Sequence, residues 1–435
     1  MSDSLAQLRE DLATRVVTAN RIGSGHVAAA LRAVPRHLFL PDLPPEATYA
    51  DDAIVTKRDQ GGQAISSSSQ PAIMAIMLDQ LDLASGQRVL EIGAGTGYNA
   101  ALISHIVGAS GQVTSIDIDP ELVGTAREHL ASAGFAAVTV ASADGAGGYP
   151  EHAPYDRIIA TVGVSDLAGP WLEQAAPGAR IVVPLDVRGT QVAVAFERAD
   201  PAGIEGPWTS RSLAPCGFMR MRGSLAGPER LVMLEPRLSL MLPDGVWPGG
   251  TEVDAGALAG LLSGPSVPHP TSVQAGSAQV VWGLGLWLAA REPRFCRLND
   301  VMPPDPAAAE DGRPPSAAAA WLADAPLRSR NWHATLGILD PGGLAVLTGT
   351  RAAEPAAETD PAGPLTLGSA GFGPRAAELA AELAAHVEAW DLASQPAIAG
   401  LHIDVYPRSG PDEPPPVPGA LIMERPGNRF LIYHT

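Results

Sequence analysis

Apolar positions repeat at helical spacing through residues 4–34. Leu5, Leu8, Leu12, Val16 and Val17 form one face, and Val27 to Val34 begin another. The prolines of "VPRHLFLPDLPPEATYADDA" (34–53) forbid a long helix and predict an ordered wrapping segment. Helical periodicity returns over 72–83, with Ile73, Met74, Met77 and Leu81 on one side. From residue 87 short apolar runs alternate with helical stretches. "QRVLEIG" reads as strand and "AGTGYNAALISHIVG" as turn and helix. "GQVTSIDID" is a second strand, and "PELVGTAREHLASAG" a helix with Pro120 in its first turn. "AAVTVASAD" and "YDRIIATVG" continue the strands, "DLAGPWLEQA" is a short helix, and "PGARIVVPL" and "GTQVAVAFER" are further strands. This alternation over 87–198 predicts an open α/β sheet with helices on both faces.

The pattern loosens afterwards. Residues 207–245 read as strands and loops, and 274–292 as a helix ending at Arg291. Residues 302–320, rich in Pro and Ala, read as an exposed loop. "NWHATLGILDPGGLAVLTGT" reads as two strands about a Pro-Gly-Gly turn. Residues 374–390 form an amphipathic helix with Leu379, Leu383, Val387 and Trp390 on one face and Pro374 in its first turn; "AGLHIDVYP" and "RFLIYHT" are late strands. The expected domains are 1–225, and 226–435 as an accessory α+β domain carrying the 302–320 loop.

Composition narrows the function classes. Hydrophobic residues make up 46% and charged residues 17% of the 435, a globular balance. Lys and Arg number 29 against 47 Asp and Glu, a net charge of −18 with no large basic patch, so a nucleic-acid partner is not expected. The two cysteines, Cys216 and Cys296, make neither a disulfide scaffold nor a zinc site, and no metal is expected. No apolar run has membrane-spanning length, and the start "MSDSLAQLRE" lacks a signal core. A cytoplasmic protein with no membrane partner is the expectation; the oligomeric state stays open.

The strongest local feature is "VLEIGAGTG" (89–97). A glycine-rich turn after a first strand lets backbone approach a ligand and exposes the next helix's N-terminus. Alone, it suits a dinucleotide or S-adenosylmethionine. Asp117 ends the second strand, where a carboxylate can accept both ribose hydroxyls. Asp144 ends the third, placed for an adenine amino group, and Gly145 permits close packing. The glycines fall at 93, 95 and 97, not at dinucleotide spacing, which favours S-adenosylmethionine, with S-adenosylhomocysteine as product. Glu91 can orient the turn or meet the cofactor's cationic end, and Asn99 can meet cofactor or loop. Thr96 and Ile118 complete the expected cofactor set.

Upstream lies "QAISSSSQP" (63–71). Its serines can hold a carboxylate oxygen without transferring protons, and no G-x-S-x-G accompanies them to make a nucleophile. The same run also reads as a helix cap, with Ser69 before Gln70-Pro71. Ser66, Ser68, Ser69 and Gln63 are the catalytic candidates.

Residues 1–225 resemble the protein-L-isoaspartate O-methyltransferase family. "AVPRHLFLP", "TYADDAIV", "RVLEIGAGTGYNAALISHIVG", "GQVTSIDIDPELVGTAREHL", "ADG", "APYDRIIATVG" and "PGARIVVPL" follow its pattern in order. The resemblance implies a Rossmann-like class I S-adenosylmethionine-dependent methyltransferase that esterifies isoaspartyl carboxylates in damaged peptides. The family's cofactor motif falls on 89–97, its ribose acid on Asp117, and its adenine-side pair on Asp144-Gly145. Its substrate serine falls on Ser66 counting forward from "GGQAIS" and on Ser69 counting back from "SQP", registers three residues apart. With its C-terminal extension the chain is similar to actinobacterial methyltransferases of ribosomally made peptides, which methylate aspartate and form aspartimide. A modified, macrocyclic precursor peptide is then the expected partner, with isoaspartyl repair as the alternative.

Overall fold

The computed structural model describes residues 2–60, 62, 64–200, 206–245, 247, 252, 254–301, 326–328, 332–351 and 364–434. Gln63 and the 302–320 loop lie outside the described residues. The chain divides into two compact units: Met1–Asp186 with Gln191–Gly227 and His402–Tyr433, and Val187–Thr190 with Pro228–Leu401 and His434–Thr435.

In the first unit α1 (Ser2–Ala19) and α2 (Gly25–Ala33) replace one long helix. Ser24 restarts the second, its hydroxyl accepting from the Val27 N–H at 3.3 Å. The wrapping segment carries the short helix α3 (Pro45–Thr48). A hairpin of β1 (Ile54–Arg58) and β2 (Ala64–Ser68) forms its own two-stranded sheet. Then follow α4 (Pro71–Leu81), β3 (Arg88–Ile92), α5 (Tyr98–Val107), β4 (Gln112–Asp117), α6 (Pro120–Ser132), β5 (Thr139–Ser142), β6 (Tyr155–Ala160), α7 (Gly169–Gln174), β7 (Ala175–Val187), β8 (Thr190–Arg198) and β9 (Trp208–Pro215). β3 pairs in parallel with β4 and β6, β4 with β5, and β6 with β7. Val89, Leu90, Ile158, Ile159, Ile181 and Val182 are buried, as strands covered on both faces require.

The second unit is built on an antiparallel sheet of β10 (Arg230–Met233), β11 (Leu238–Leu242), β12 (Val267–Ala275), β13 (Phe295–Val301), β14 (Leu327–Arg328), β15 (Trp332–Asp340), β16 (Gly343–Arg351) and β17 (Leu365–Phe372). Their order is β10-β11-β13-β15-β16-β17-β12, with β14 beside β15. The helix α8 (Ala255–Leu262) precedes β12. The expected helix ending at Arg291 is there, as α9 (Ser277–Gln279), a π turn over Val280–Leu284, and α10 (Gly285–Arg291). The helix α11 (Ala376–Leu392) buries Leu379, Leu383, Val387 and Trp390 completely within this unit. Pro374 precedes its cap residue Arg375 instead of entering the first turn. The chain leaves β17 through a tight turn at Gly373, φ 91°, whose carbonyl accepts from the Ala376 N–H, so the helix starts late.

Residues 226–435 do not form a single C-terminal domain. The strands β18 (Leu401–Pro407), β19 (Leu421–Glu424) and β20 (Asn428–His434) return to the first unit and extend its sheet to β19-β20-β18-β9-β8-β7-β6-β3-β4-β5. Buried Asn428 donates to Asp166 Oδ1 at 2.5 Å and to the Leu167 carbonyl at 2.7 Å, and the Gly427 N–H donates to Asp166 Oδ2 at 2.7 Å. No helix among the described residues is long and apolar enough to cross a membrane.

Candidate active site

The parallel strands lie in the order β7-β6-β3-β4-β5. Successive strands run outward from β3 on one side and from β6 on the other, so a crevice opens at the carboxyl ends of β3 and β6, where such sheets take their ligands. A cleft open at its mouth sits there, at the place where such sheets bind small molecules.

The turn from β3 to α5 forms its floor. Gly93, Gly95 and Gly97 have φ of 103°, 52° and 87°, values that favour glycine. At Gly93 a Cβ would also stand 2.6 Å from Thr161 Oγ1 at the end of β6, so no side chain can intrude. Asp117 lines the cleft at the end of β4. Its Oδ2 accepts from the Gly95 N–H and its Oδ1 from the Asp119 N–H, both at 3.1 Å. The carboxylate thus ties the glycine turn to the turn that opens α6. Thr96, Asn99, Ile118 and Gly145 also line the cleft.

Glu91 is set back from it, fully buried on β3. The parallel register puts it beside Ser115. Its two oxygens accept from Ser115 Oγ at 2.5 Å and from Asn99 Nδ2 at 2.7 Å. Both hold protein donors and Glu91 is not part of the cleft lining, so its structural role is to orient Asn99, which is. Burial pushes its carboxyl up to about 7, against the two hydrogen bonds.

Asp144, exposed at the end of β5, also has protein donors on both oxygens. Its Oδ1 accepts from the Ala146 N–H at 3.0 Å, and its Oδ2 from the Ser224 N–H at 3.1 Å and the Ser224 hydroxyl at 2.9 Å. Burial opposes its charge, but these donors outweigh burial and hold the carboxyl below its ordinary range. It fastens the chain near residue 224, and Gly145 presents bare backbone to the cleft.

Ser66, Ser67, Ser68 and Ser69 all line the opposite rim. Ser66 Oγ accepts from Thr56 Oγ1 at 3.1 Å. The Ser69 carbonyl accepts from both terminal nitrogens of Arg36 at 3.2 Å. Arg36 is fully buried and lies 5.1 Å from the centre of the Tyr98 ring, so it pins the serine segment to the start of α5. Ser69 does not cap α4. Gln70 is the cap residue and makes no side-chain cap; Asp51 Oδ1 accepts from the Ala72 N–H at 2.8 Å instead.

The third wall, residues 218–222, is not evident from local pattern. Gly163 fastens it, donating to the Met219 carbonyl at 2.7 Å and accepting from the Met221 N–H at 2.8 Å. Gln191 clamps Phe218 by accepting from its N–H at 2.7 Å and donating to its carbonyl at 3.1 Å. Alternating apolar and cationic residues in "FMRMR" are the available sequence signal.

Two buried polar atoms at the cleft lack a hydrogen-bond partner among the described residues: Ser68 Oγ and Asn99 Oδ1. Such atoms are costly unless a ligand completes them. Asn99 Oδ1 is an acceptor beside a turn that admits no side chain, and Asp117 is an acceptor for hydroxyls. Both suit S-adenosylmethionine, which carries an ammonium and a ribose diol. Asp117, Asn99 and the Gly93–Gly97 backbone are the groups that would hold it. The sheet order and this cleft define a class I S-adenosylmethionine-dependent methyltransferase.

The family model for protein-L-isoaspartate(D-aspartate) O-methyltransferase matches residues 7–211. The protein-L-isoaspartate O-methyltransferase of Hyperthermus butylicus is 39% identical over 231 residues, 51% of this chain and 92% of its own. That of Methanopyrus kandleri is 37% identical over 216 residues, 49% of this chain and 91% of its own. A solved protein-L-isoaspartate O-methyltransferase structure aligns over 91% of this chain and 96% of its own, at 22% identity and a TM-score of 0.47. The chain belongs to the protein-L-isoaspartate O-methyltransferase family and is an S-adenosylmethionine-dependent protein carboxyl O-methyltransferase.

Proposed function

We propose that the enzyme methylates the free carboxylate of L-isoaspartyl residues in proteins or peptides, with the serine strand holding the acceptor. The observation that carries this is the unpartnered, buried Ser68 hydroxyl on the rim facing the glycine turn. The relatives are protein-L-isoaspartate O-methyltransferases, which supports isoaspartyl acceptors over an aspartyl precursor peptide.

When bound, S-adenosylmethionine supplies a sulfonium methyl, which leaves its sulfur as the carboxylate oxygen bonds to it. A carboxylate with an ordinary pKa near 4 is already ionised at neutral pH, so the protein needs no general base. Its tasks are alignment and exclusion of water. In this reading Ser68 Oγ donates to the carboxylate oxygen that does not react, Ser69 flanks it, and Arg36 keeps the segment in place. Ser66, whose oxygen accepts from the Thr56 hydroxyl, is assigned to holding the hairpin and not the acceptor. Ser68→Ala should lower kcat/KM about tenfold through loss of one donor to a charged group, and Ser66→Ala should change it less than about threefold. Equal losses in both variants would refute this assignment.

A second reading is methylation of aspartate in a ribosomally made, constrained peptide, with the ester closing to aspartimide. The three-residue enlargement of the serine run favours it, since a longer rim changes which peptides fit. One experiment separates the two. Matched aspartyl and isoaspartyl peptides, linear and macrocyclic, are incubated with S-adenosylmethionine and followed by mass spectrometry. Methyl ester on isoaspartyl peptides alone supports the first reading. Ester and then loss of methanol from aspartyl macrocycles alone supports the second and overturns the first.

A further inference from the structure

The hairpin that bears the serines belongs to no larger sheet, and a two-stranded hairpin alone is at best marginally stable. Arg36 holds its exit at Ser69. At the cofactor end the hairpin is held by Lys57. Its Nζ donates to Asp119 Oδ2 at 2.6 Å and to Glu121 Oε2 at 2.7 Å, across the start of α6.

The pairing is built to aim this side chain. Val55 pairs with Ser67 and Lys57 with Ser66, leaving Thr56 as an extra residue in β1; Arg58 then pairs with Ala64, leaving Ile65 as an extra residue in β2. Bulges re-aim side chains and recur next to active sites. Lys57 stands between these two. Asp119 is also the cap of α6, accepting from the Glu121 N–H at 3.0 Å, while its own N–H donates to Asp117 Oδ1. A continuous path therefore runs from the hairpin through Lys57, Asp119 and Asp117 to the Gly95 N–H in the glycine turn.

We propose that Lys57 is a positioning residue that latches the serine hairpin onto the ribose-side turn, so that the cofactor product leaves only when both ion pairs open. The proposal rests on the assignment of Asp117 to the cofactor's ribose. The latch reaches neither the methyl nor the acceptor. It sets how long the cofactor stays.

The test uses the full-length chain and S-adenosylhomocysteine. Lys57→Met should raise the dissociation rate and the Kd about fivefold, the worth of one partly buried and one exposed ion pair. It should speed hydrogen exchange at the β2 amides and raise the KM for S-adenosylmethionine with little change in kcat. Lys57→Arg should restore most of the affinity. Raised salt should loosen product binding in the wild type and leave Lys57→Met unaffected. Unchanged dissociation and exchange in Lys57→Met overturn the latch, as does a fall in melting temperature with no change in either. Normal binding of S-adenosylhomocysteine by Asp117→Ala would instead refute the ribose assignment, and Lys57→Met would still report on the hairpin.

Discussion

Asp117→Ala is expected to weaken S-adenosylhomocysteine binding about a hundredfold, roughly 3 kcal/mol, because two hydroxyl donors lose a charged acceptor. Asp117 lines the cleft, and the same two oxygens hold the Gly95 and Asp119 N–H groups. Removing the carboxylate deletes the ribose acceptor and frees the glycine turn. Asp117→Asn keeps an oxygen for one backbone donor but turns an amide N–H₂ toward the other, and should lose about tenfold. Calorimetric titration checks both, with thermal melting as the control for folding. Wild-type affinity in Asp117→Ala would remove Asp117 from the site.

The place of Asp117, at the end of β4 on the cleft wall, was legible because its signal is local: an apolar strand, an acidic end and a helix opening at Pro120 lie within a dozen positions. The same holds for the glycine turn and the alternation that dictates the parallel sheet. Asp144 shows where such reading stops. Its place at the end of β5 was visible, but its carboxylate serves Ser224, eighty residues on. Nothing near Asp144 encodes that partner. The 218–222 wall depends likewise on Gly163 and Gln191. The cap of α4 comes from Asp51, twenty-one residues before Ala72, although a serine sits beside the cap position. β18 was legible as a strand, while its neighbour β9 lies almost two hundred residues earlier. Periodicity announces an element and the face it buries; it is silent on which distant backbone accepts its edge.

Glu91→Gln should abolish a pH-dependence of stability that the wild type carries between pH 4.5 and about 7. Burial raises the Glu91 carboxyl from its ordinary 4.5 to about 7 in the folded chain. Between those values the folded chain keeps a proton that the unfolded chain has released. Stability from this group is therefore fully present below pH 4.5, falls as pH rises, and is lost above about 7, a change of about 3 kcal/mol. Glutamine is neutral throughout, so the variant lacks this slope and should exceed the wild type in stability by a margin that grows from pH 4.5 to about 7 and levels off above it. The side chain can keep both contacts: its oxygen accepts from Asn99 Nδ2, and its amide donates to the Ser115 hydroxyl oxygen. Unfolding of the first unit in urea at stepped pH, compared between the two proteins, isolates Glu91 from groups common to both, such as Asp166, Asp404 and His37. A pH-independent difference would mean that the buried carboxyl ionises at its ordinary value. Because Asn99 stays oriented, Glu91→Gln should bind S-adenosylhomocysteine within about threefold of wild type. Glu91→Leu, which strands the Asn99 and Ser115 donors in the core at about 1–3 kcal/mol each, should lose both stability and affinity. That contrast separates the charge on Glu91, which the site does not use, from its two hydrogen bonds, which it does.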